Sequence, residues 1–209
     1  MTTDKRIIPI ALPSVGEEEW LATKEVFMSG WLTQGPKVKE FEQKFAAHHN
    51  AKFGLATTSC TTALHLGLKA LGVKEGDEVI VPAFTWVSTA NSILYCGAKP
   101  VFADVSTETN NIDPKNLKKL KTAKTKAIIP VHLFGLCADI DAIKDELPGV
   151  SILEDCACAA GATYKGRFAG TLGDMGAFSF HPRKSITTGE GGLLTTNDPA
   201  LNELADCLR

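Results

Sequence analysis

No apolar run in this sequence is long enough to cross a membrane. The most apolar stretches, such as AIIPVHLFGL at 127–136, fall well short of a span. The opening MTTDKRIIPIALPSVGEEEW has an apolar patch broken by Pro9 and Pro13, and it does not read as a signal peptide. Charge of one sign is missing too. The 22 Lys and Arg against 24 Asp and Glu leave a net charge of −2. That balance gives no electrostatic basis for binding nucleic acid or an anionic membrane. There is no internal repeat and no low-complexity segment. The six cysteines, at 60, 96, 137, 156, 158 and 207, lack the paired spacing of a zinc site. Cys156 and Cys158 with Cys137 and His132 make the nearest approach to one, and no metal is expected. The thiols are read as reduced and mostly core-filling, in a cytoplasmic protein.

What is present is ordinary globular chemistry: 209 residues, 44% hydrophobic and 22% charged. EEEWLATKEVFMSG reads as a helix carrying Trp20, Leu21, Val26, Phe27 and Met28, with Gly30 to end it. GPKVKEFEQKFAAHH reads as a second helix, with Pro36 near its start and Val38, Phe41 and Phe45 at helical spacing. From Phe53 onward, short β-branched runs alternate with helical segments. The runs are FGLATT, EVIVPAF, PVFADV, AIIPVHLF, VSILEDC, GAFSFH and GLLTTN. TTALHLGLKALG, STANSILYCG, DPKNLKKLK and DIDAIKDEL lie between them. This alternation predicts an α/β fold with a mainly parallel sheet flanked by helices. DPALNELADCLR opens as a further helix, with Asp198 as cap, Pro199 in the first turn and Leu201, Leu204, Ala205 and Leu208 as its apolar stripe.

In such sheets ligands collect beyond the carboxyl ends of the strands, so those residues carry the search. After FGLATT, Ser59 to Thr62 lead into a helix. The free N–H groups there suit an anion, although Ser59 or Thr61 as a plain helix cap accounts for the same residues. After EVIVPAF comes Trp86, which suits stacking on a flat ring or packing in the core. After VSIL come Glu154 and Asp155. A buried acid needs a partner, and an ion pair or a helix cap would supply one. After GAFSF comes HPRKSITTGEGG with a single lysine, Lys184. Together these match what pyridoxal phosphate needs: a lysine for an imine, an acid facing the pyridine nitrogen, an anion site and an aromatic on the ring face. A dinucleotide fingerprint of the G-x-G-x-x-G kind is missing, because TSCTTA stands after the first strand.

In this order the motifs resemble one family closely, the DegT/DnrJ/StrS aminotransferases. The matching segments include SGWLTQGPKVKEFE, TSCTTALHLGLKALGVKEGDEVIVPAFTWVSTANSILYCGAKPVFADV, ILEDCACAAGA and GTLGDMGAFSFHPRKSITTGEGG, and they cover nearly the whole chain. The resemblance implies a fold type I enzyme that moves an amino group from glutamate to a nucleotide-linked keto-sugar through pyridoxal 5'-phosphate. It implies a homodimer with a shared active site. Lys184 matches the Schiff-base lysine and Asp155 the acid at the pyridine nitrogen. Trp86 matches the stacking aromatic, Cys60 and Thr61 the phosphate-binding turn, and Ser179 its hydroxyl partner.

Two positions depart from the family pattern. Cys60 stands where Gly or Asn is common, which leaves the backbone N–H groups in place. Cys158 stands three residues past Asp155, where His or Gln usually helps to hold the cofactor ring, and a thiol does so weakly. Family members run to roughly twice this length. Residues 1–209 are therefore read as an N-terminal segment and most of the large cofactor domain, without the small C-terminal domain. Two other activities compete. The family's dehydratase branch carries His at the lysine position, so Lys184 argues against it. A regulatory relative without activity would more readily have lost Lys184 or Asp155.

Overall fold

The computed structural model describes residues 8–209. Its elements run in chain order: α1 (Glu17–Ser29), α2 (Pro36–His48), β1 (Phe53–Thr57), α3 (Cys60–Ala70), β2 (Glu78–Pro82), α4 (Val87–Tyr95) and β3 (Lys99–Ala103). Then come α5 (Leu117–Leu120), β4 (Thr125–Ile128), α6 (Ile140–Glu146), β5 (Ser151–Asp155), β6 (Thr163–Tyr164), β7 (Arg167–Phe168), β8 (Met175–Ser179), β9 (Gly192–Thr196) and α7 (Pro199–Leu208). Every apolar run named from the sequence contributes to a strand, although AIIPVHLF does so only at Ala127 and Ile128 and ends in a 3₁₀ turn at Leu133–Gly135. DPKNLKKLK is a weaker helix than its composition suggests: a 3₁₀ turn at Pro114–Asn116 followed by the four residues of α5.

The main sheet has seven strands in the order β1-β9-β8-β5-β4-β2-β3. β8, β5, β4, β2 and β3 pair in parallel, and β9 is antiparallel to both neighbours. Side chains alternate between the two faces of each strand. Val79 and Val81, Ala127, Leu153, Met175 and Ala177 therefore meet α3, α4 and α7 on one face. Ile80, Ile128 and Ile152 meet α5 and α6 on the other. On that second face Phe45 of α2 packs edge-on against Phe178 at 4.9 Å and Phe180 at 5.2 Å, which pins α2 beneath β8.

α1 is a helix as its pattern predicts, ended by Gly30 in the left-handed region at φ 71°. It buries no residue, and Trp20, Leu21, Phe27 and Met28 are exposed. α7 has Asp198 as its cap and Pro199 at its first position, as expected. Ala205 and Leu201 pack into the core, while Leu204 and Leu208 stay exposed.

One close approach ties the sheet to the site. Gly192, the first residue of β9, lies directly against the backbone where α3 begins. A Cβ there would run into the carbonyl of Ser59 and the nitrogen of Cys60. Gly192→Ala in the full-length protein is expected to cost roughly 1–3 kcal/mol, because backbone rather than a flexible side chain must give way. Urea unfolding measures it, and an unchanged midpoint would show that the turn yields freely.

Candidate active site at the carboxyl ends of the parallel strands

The two acids that end β5 have separate roles because strand faces alternate. Glu154 shares the α6 face with Ile152 and is fully buried. Its Oε1 accepts from the N–H groups of Leu172 at 2.7 Å and Gly173 at 2.8 Å. Its Oε2 accepts from Gly170 N–H and from His132 Nε2, both at 2.8 Å. The other nitrogen of His132, Nδ1, accepts from Ala138 N–H at 3.0 Å, so the ring proton sits on Nε2. Glu154 is thus a structural clamp rather than a group facing a ligand. The Sγ of Cys156 lies within 4.8 Å of these His and Glu atoms. Both ring nitrogens of His132 are already engaged by protein partners.

Asp155 shares the opposite face with Leu153 and looks into a cavity of about 460 Å³. It is buried. Oδ2 accepts from the Thr89 hydroxyl at 2.9 Å and Oδ1 from Ala157 N–H at 3.1 Å. Among the described residues it has no ion-pair partner. Burial raises its pKa from the ordinary 3.8; the bonds from Ala157 and Thr89 and the charge on Lys184 oppose that rise.

The start of α3 forms another wall of the same cavity. Ser59 does cap the helix: its Oγ accepts from Thr62 N–H at 3.2 Å, and Thr62 Oγ1 accepts from Ser59 N–H at 3.0 Å. The cap and the anion site are compatible, because the cap occupies the hydrogen-bonding groups of Ser59 and Thr62. The N–H groups of Cys60 and Thr61 make no hydrogen bond among the described residues, and both residues line the cavity. The Cys60 side chain turns away, with Sγ donating to the Ala177 carbonyl at 3.7 Å, and burial pushes its thiol pKa well up. Ser179, the last residue of β8, lines the cavity from the α3 face.

Trp86 is the N-cap residue of α4 and is 76% exposed at the cavity mouth, which settles against core packing. Lys184 lies in the turn after β8, where its N–H donates to the His181 carbonyl at 2.8 Å. Its Nζ enters the cavity and lies 3.2 Å from Sγ of Cys158. All seven residues proposed from the sequence therefore line one cavity. Sequence reasoning did not name Thr89, one helical turn beyond Trp86, or Glu190 at the rim. A hydroxyl in the first turn of a helix that follows a strand was the available signal for Thr89.

The cavity fits pyridoxal phosphate on its own chemistry. A buried carboxylate without a cation suits a protonated ring nitrogen. Two free N–H groups at a helix start suit a phosphate, and a lysine amine reaches the space between them. A second cleft of about 550 Å³ lies between α3 and the end of α7, and none of these groups faces it.

A parallel sheet that gathers these groups at its carboxyl ends has the large-domain architecture of fold type I aminotransferases. Within that class the chain belongs to the DegT/DnrJ/EryC1/StrS aminotransferase family, whose sequence profile matches residues 13–209. It is 50% identical over 204 residues to the spore coat polysaccharide biosynthesis protein SpsC of Bacillus subtilis (strain 168). That match covers 97% of this chain and 52% of SpsC, so the chain spans about half the length of that relative. Spr1654 of Streptococcus pneumoniae in its PLP form superposes with a TM-score of 0.92 at 34% identity, over 96% of this chain and 57% of that one. The GDP-4-keto-6-deoxymannose-3-dehydratase ColD superposes at 0.91 with 35% identity, over 96% and 54%.

The two acids of β5 should respond in opposite ways. Glu154→Ala leaves three backbone N–H groups and His132 without their acceptor, and is expected to cost at least about 3 kcal/mol. For Asp155 the native pKa lies above the unfolded one, so in the window between them the native state holds the extra proton. Stability falls as pH rises through that window, and the burial penalty is complete above it. Asp155→Asn removes the charge while Thr89 and Ala157 keep usable partners. The cofactor-free variant is expected to be more stable than the parent by about 1 kcal/mol at pH 7. The gain should shrink as the pH is lowered through the window. Urea unfolding of both proteins across pH checks the sign.

Proposed function

We propose that the full-length protein is a pyridoxal-phosphate-dependent aminotransferase that moves an amino group from glutamate to a nucleotide-linked keto-sugar in amino-sugar and polysaccharide biosynthesis. The observation that carries this reading is Asp155, a buried acid without a cation, in the same cavity as the amine of Lys184. When bound, pyridoxal phosphate supplies the electron sink that lets a substrate carbon lose and regain a proton. The chain's own groups do the rest. The N–H groups of Cys60 and Thr61, with the Ser179 hydroxyl, hold the phosphate at the positive end of α3. Asp155, oriented by Thr89 and Ala157, holds a proton at the ring nitrogen. Trp86 would cover the ring face, and Cys158 would border the ring beside Lys184. The Nζ of Lys184 would hold the cofactor at rest and, once freed, would be placed to move a proton at the substrate carbon.

Residues 1–209 are read as the N-terminal segment and most of the large cofactor domain, in keeping with the half-length match to SpsC. A cytoplasmic homodimer with a shared site suits the exposed apolar residues of α1 and Trp86 at the cavity mouth. No helix among the described residues is long and apolar enough to cross a membrane. The similarity to ColD keeps dehydration as the competing chemistry, and Lys184 favours transfer because a lysine amine both attaches the cofactor and shuttles the proton.

Nitrogen-labelled glutamate with UDP-, GDP- and dTDP-linked keto-sugars tests the reaction. Label is expected in the sugar, with ping-pong kinetics. A deoxy sugar without label would assign dehydration instead. Lys184→Ala is expected to lower amino transfer by roughly 10²- to 10⁴-fold or more, since it removes the proton-moving group. Borohydride labelling at Lys165 or Lys126 in the parent protein would overturn the assignment of Lys184.

A further inference from the structure

We infer that Cys158 and Lys184 form an oxidant-sensitive pair, in which peroxide closes a reversible sulfur–nitrogen bond between the two side chains. The Nζ of Lys184 lies 3.2 Å from Sγ of Cys158, a gap that rotation within a lysine side chain closes. Both groups line the open cavity at the strand ends, where a small oxidant reaches them. Cys158 is exposed.

The other thiols differ in ways that make the pair selective. Burial pushes the pKa of Cys60 and Cys156 well up, that of Cys137 up to about 11 and that of Cys96 upward. The thiolate is the form that attacks peroxide, so these four are poorly reactive. Cys207 is exposed on α7, but among the described residues it makes no hydrogen bond to an amine. An oxidised Cys207 has no such neighbour to trap it.

The chemistry balances with hydrogen peroxide as the oxidant. Peroxide transfers one oxygen to Cys158, oxidising its thiol by two electrons to a sulfenic acid, and one water leaves. The neutral Nζ of Lys184 then attacks the sulfenic sulfur. The sulfur–oxygen bond breaks, the hydroxyl leaves as water with one amine proton, and the sulfur–nitrogen bond remains. The sum is one thiol, one amine and one peroxide giving one sulfenamide and two waters. Two molecules of a small thiol reverse it: they return the Cys158 thiol and the Lys184 amine and leave as a disulfide. Closure also shields the sulfur from the irreversible steps beyond sulfenic acid. It occupies the nitrogen assigned above to the cofactor, so oxidation would block cofactor attachment. That consequence, unlike the bond itself, rests on the proposed function.

The test uses the full-length protein, freed of cofactor, with Cys207→Ser to remove the other exposed thiol. Limiting hydrogen peroxide should lower the intact mass by about 2 Da, the two hydrogens lost on closure. Peptide mapping should find the Cys158 and Lys184 peptides joined, and dithiothreitol should separate them and restore the mass. Cys158→Ala and Lys184→Ala should each abolish the loss. Gains of about 16, 32 or 48 Da on Cys158 with the Lys184 peptide free would overturn the pair, as would a link to a different lysine. After excess pyridoxal phosphate is removed, protein-bound visible absorbance should appear in the reduced protein and be largely lost in the linked one, and it should return once the link is reduced and the dithiothreitol removed before cofactor is added. If the link forms but borohydride traps the cofactor on another lysine in the reduced protein, the pair stands and the functional assignment of Lys184 falls.

Discussion

Glu154 accepts four hydrogen bonds in a space closed to water, and the geometry of the site follows from that clamp. Three of its donors are backbone N–H groups at 170–173, the segment that leads into β8. The fourth, His132, lies just beyond β4. One side chain thus joins the end of β5 to the segments beside its two neighbouring strands. Fixing Glu154 also fixes its neighbour, because the next residue of a strand must face the other way. Asp155 is aimed into the cavity by the hydrogen bonding of a residue that never touches it. Such an arrangement tolerates little at position 154, although the acid that faces the cavity is Asp155.

Asp155 illustrates the opposite relation between folding and function. The fold gains nothing from a carboxylate held out of water without a cation. The bonds from Thr89 and Ala157 offset part of that cost and also hold the group in one orientation. A site assembled this way is ready for a positively charged ring and is strained until it has one. The tension is confined to one side chain because both faces of the surrounding sheet are packed with aliphatic residues that do not move.

Much of this was legible in the residues. Each of the seven apolar runs contributes to a strand, since short apolar runs between turn residues are too brief for helices. Lys184, Asp155 and the turn at Cys60 and Thr61 were singled out because strand ends in parallel sheets concentrate chemistry, and they line one cavity. Other features needed the three-dimensional structure. Glu154 and Asp155 are adjacent acids, and nothing local says which of the two faces belongs to α3. The hairpin of β6 and β7 escaped because two-residue strands show no alternation, although Lys165 and Gly166 between them both have positive φ. The helical period of α1 was clear, but a period does not say whether an apolar stripe has anything to pack against. The antiparallel direction of β9 is set by the fold-back of residues 180–191 and leaves no mark in the composition of the strand.

That reversed strand governs when the site can exist. β1 has β9 as its partner in the sheet, and Lys52 N–H bonds the Asn197 side chain 145 residues further on. The start of α3 rests against Gly192 of the same strand. A ribosome therefore releases the turn at Cys60 and Thr61 early and completes its support late, after almost all of the described chain has emerged. Contacts this distant in sequence form slowly and last. The turn at Cys60 and Thr61 is among the first parts of the candidate site to be synthesised and among the last to take shape. Completion of the candidate site therefore coincides with closure of the sheet around β9.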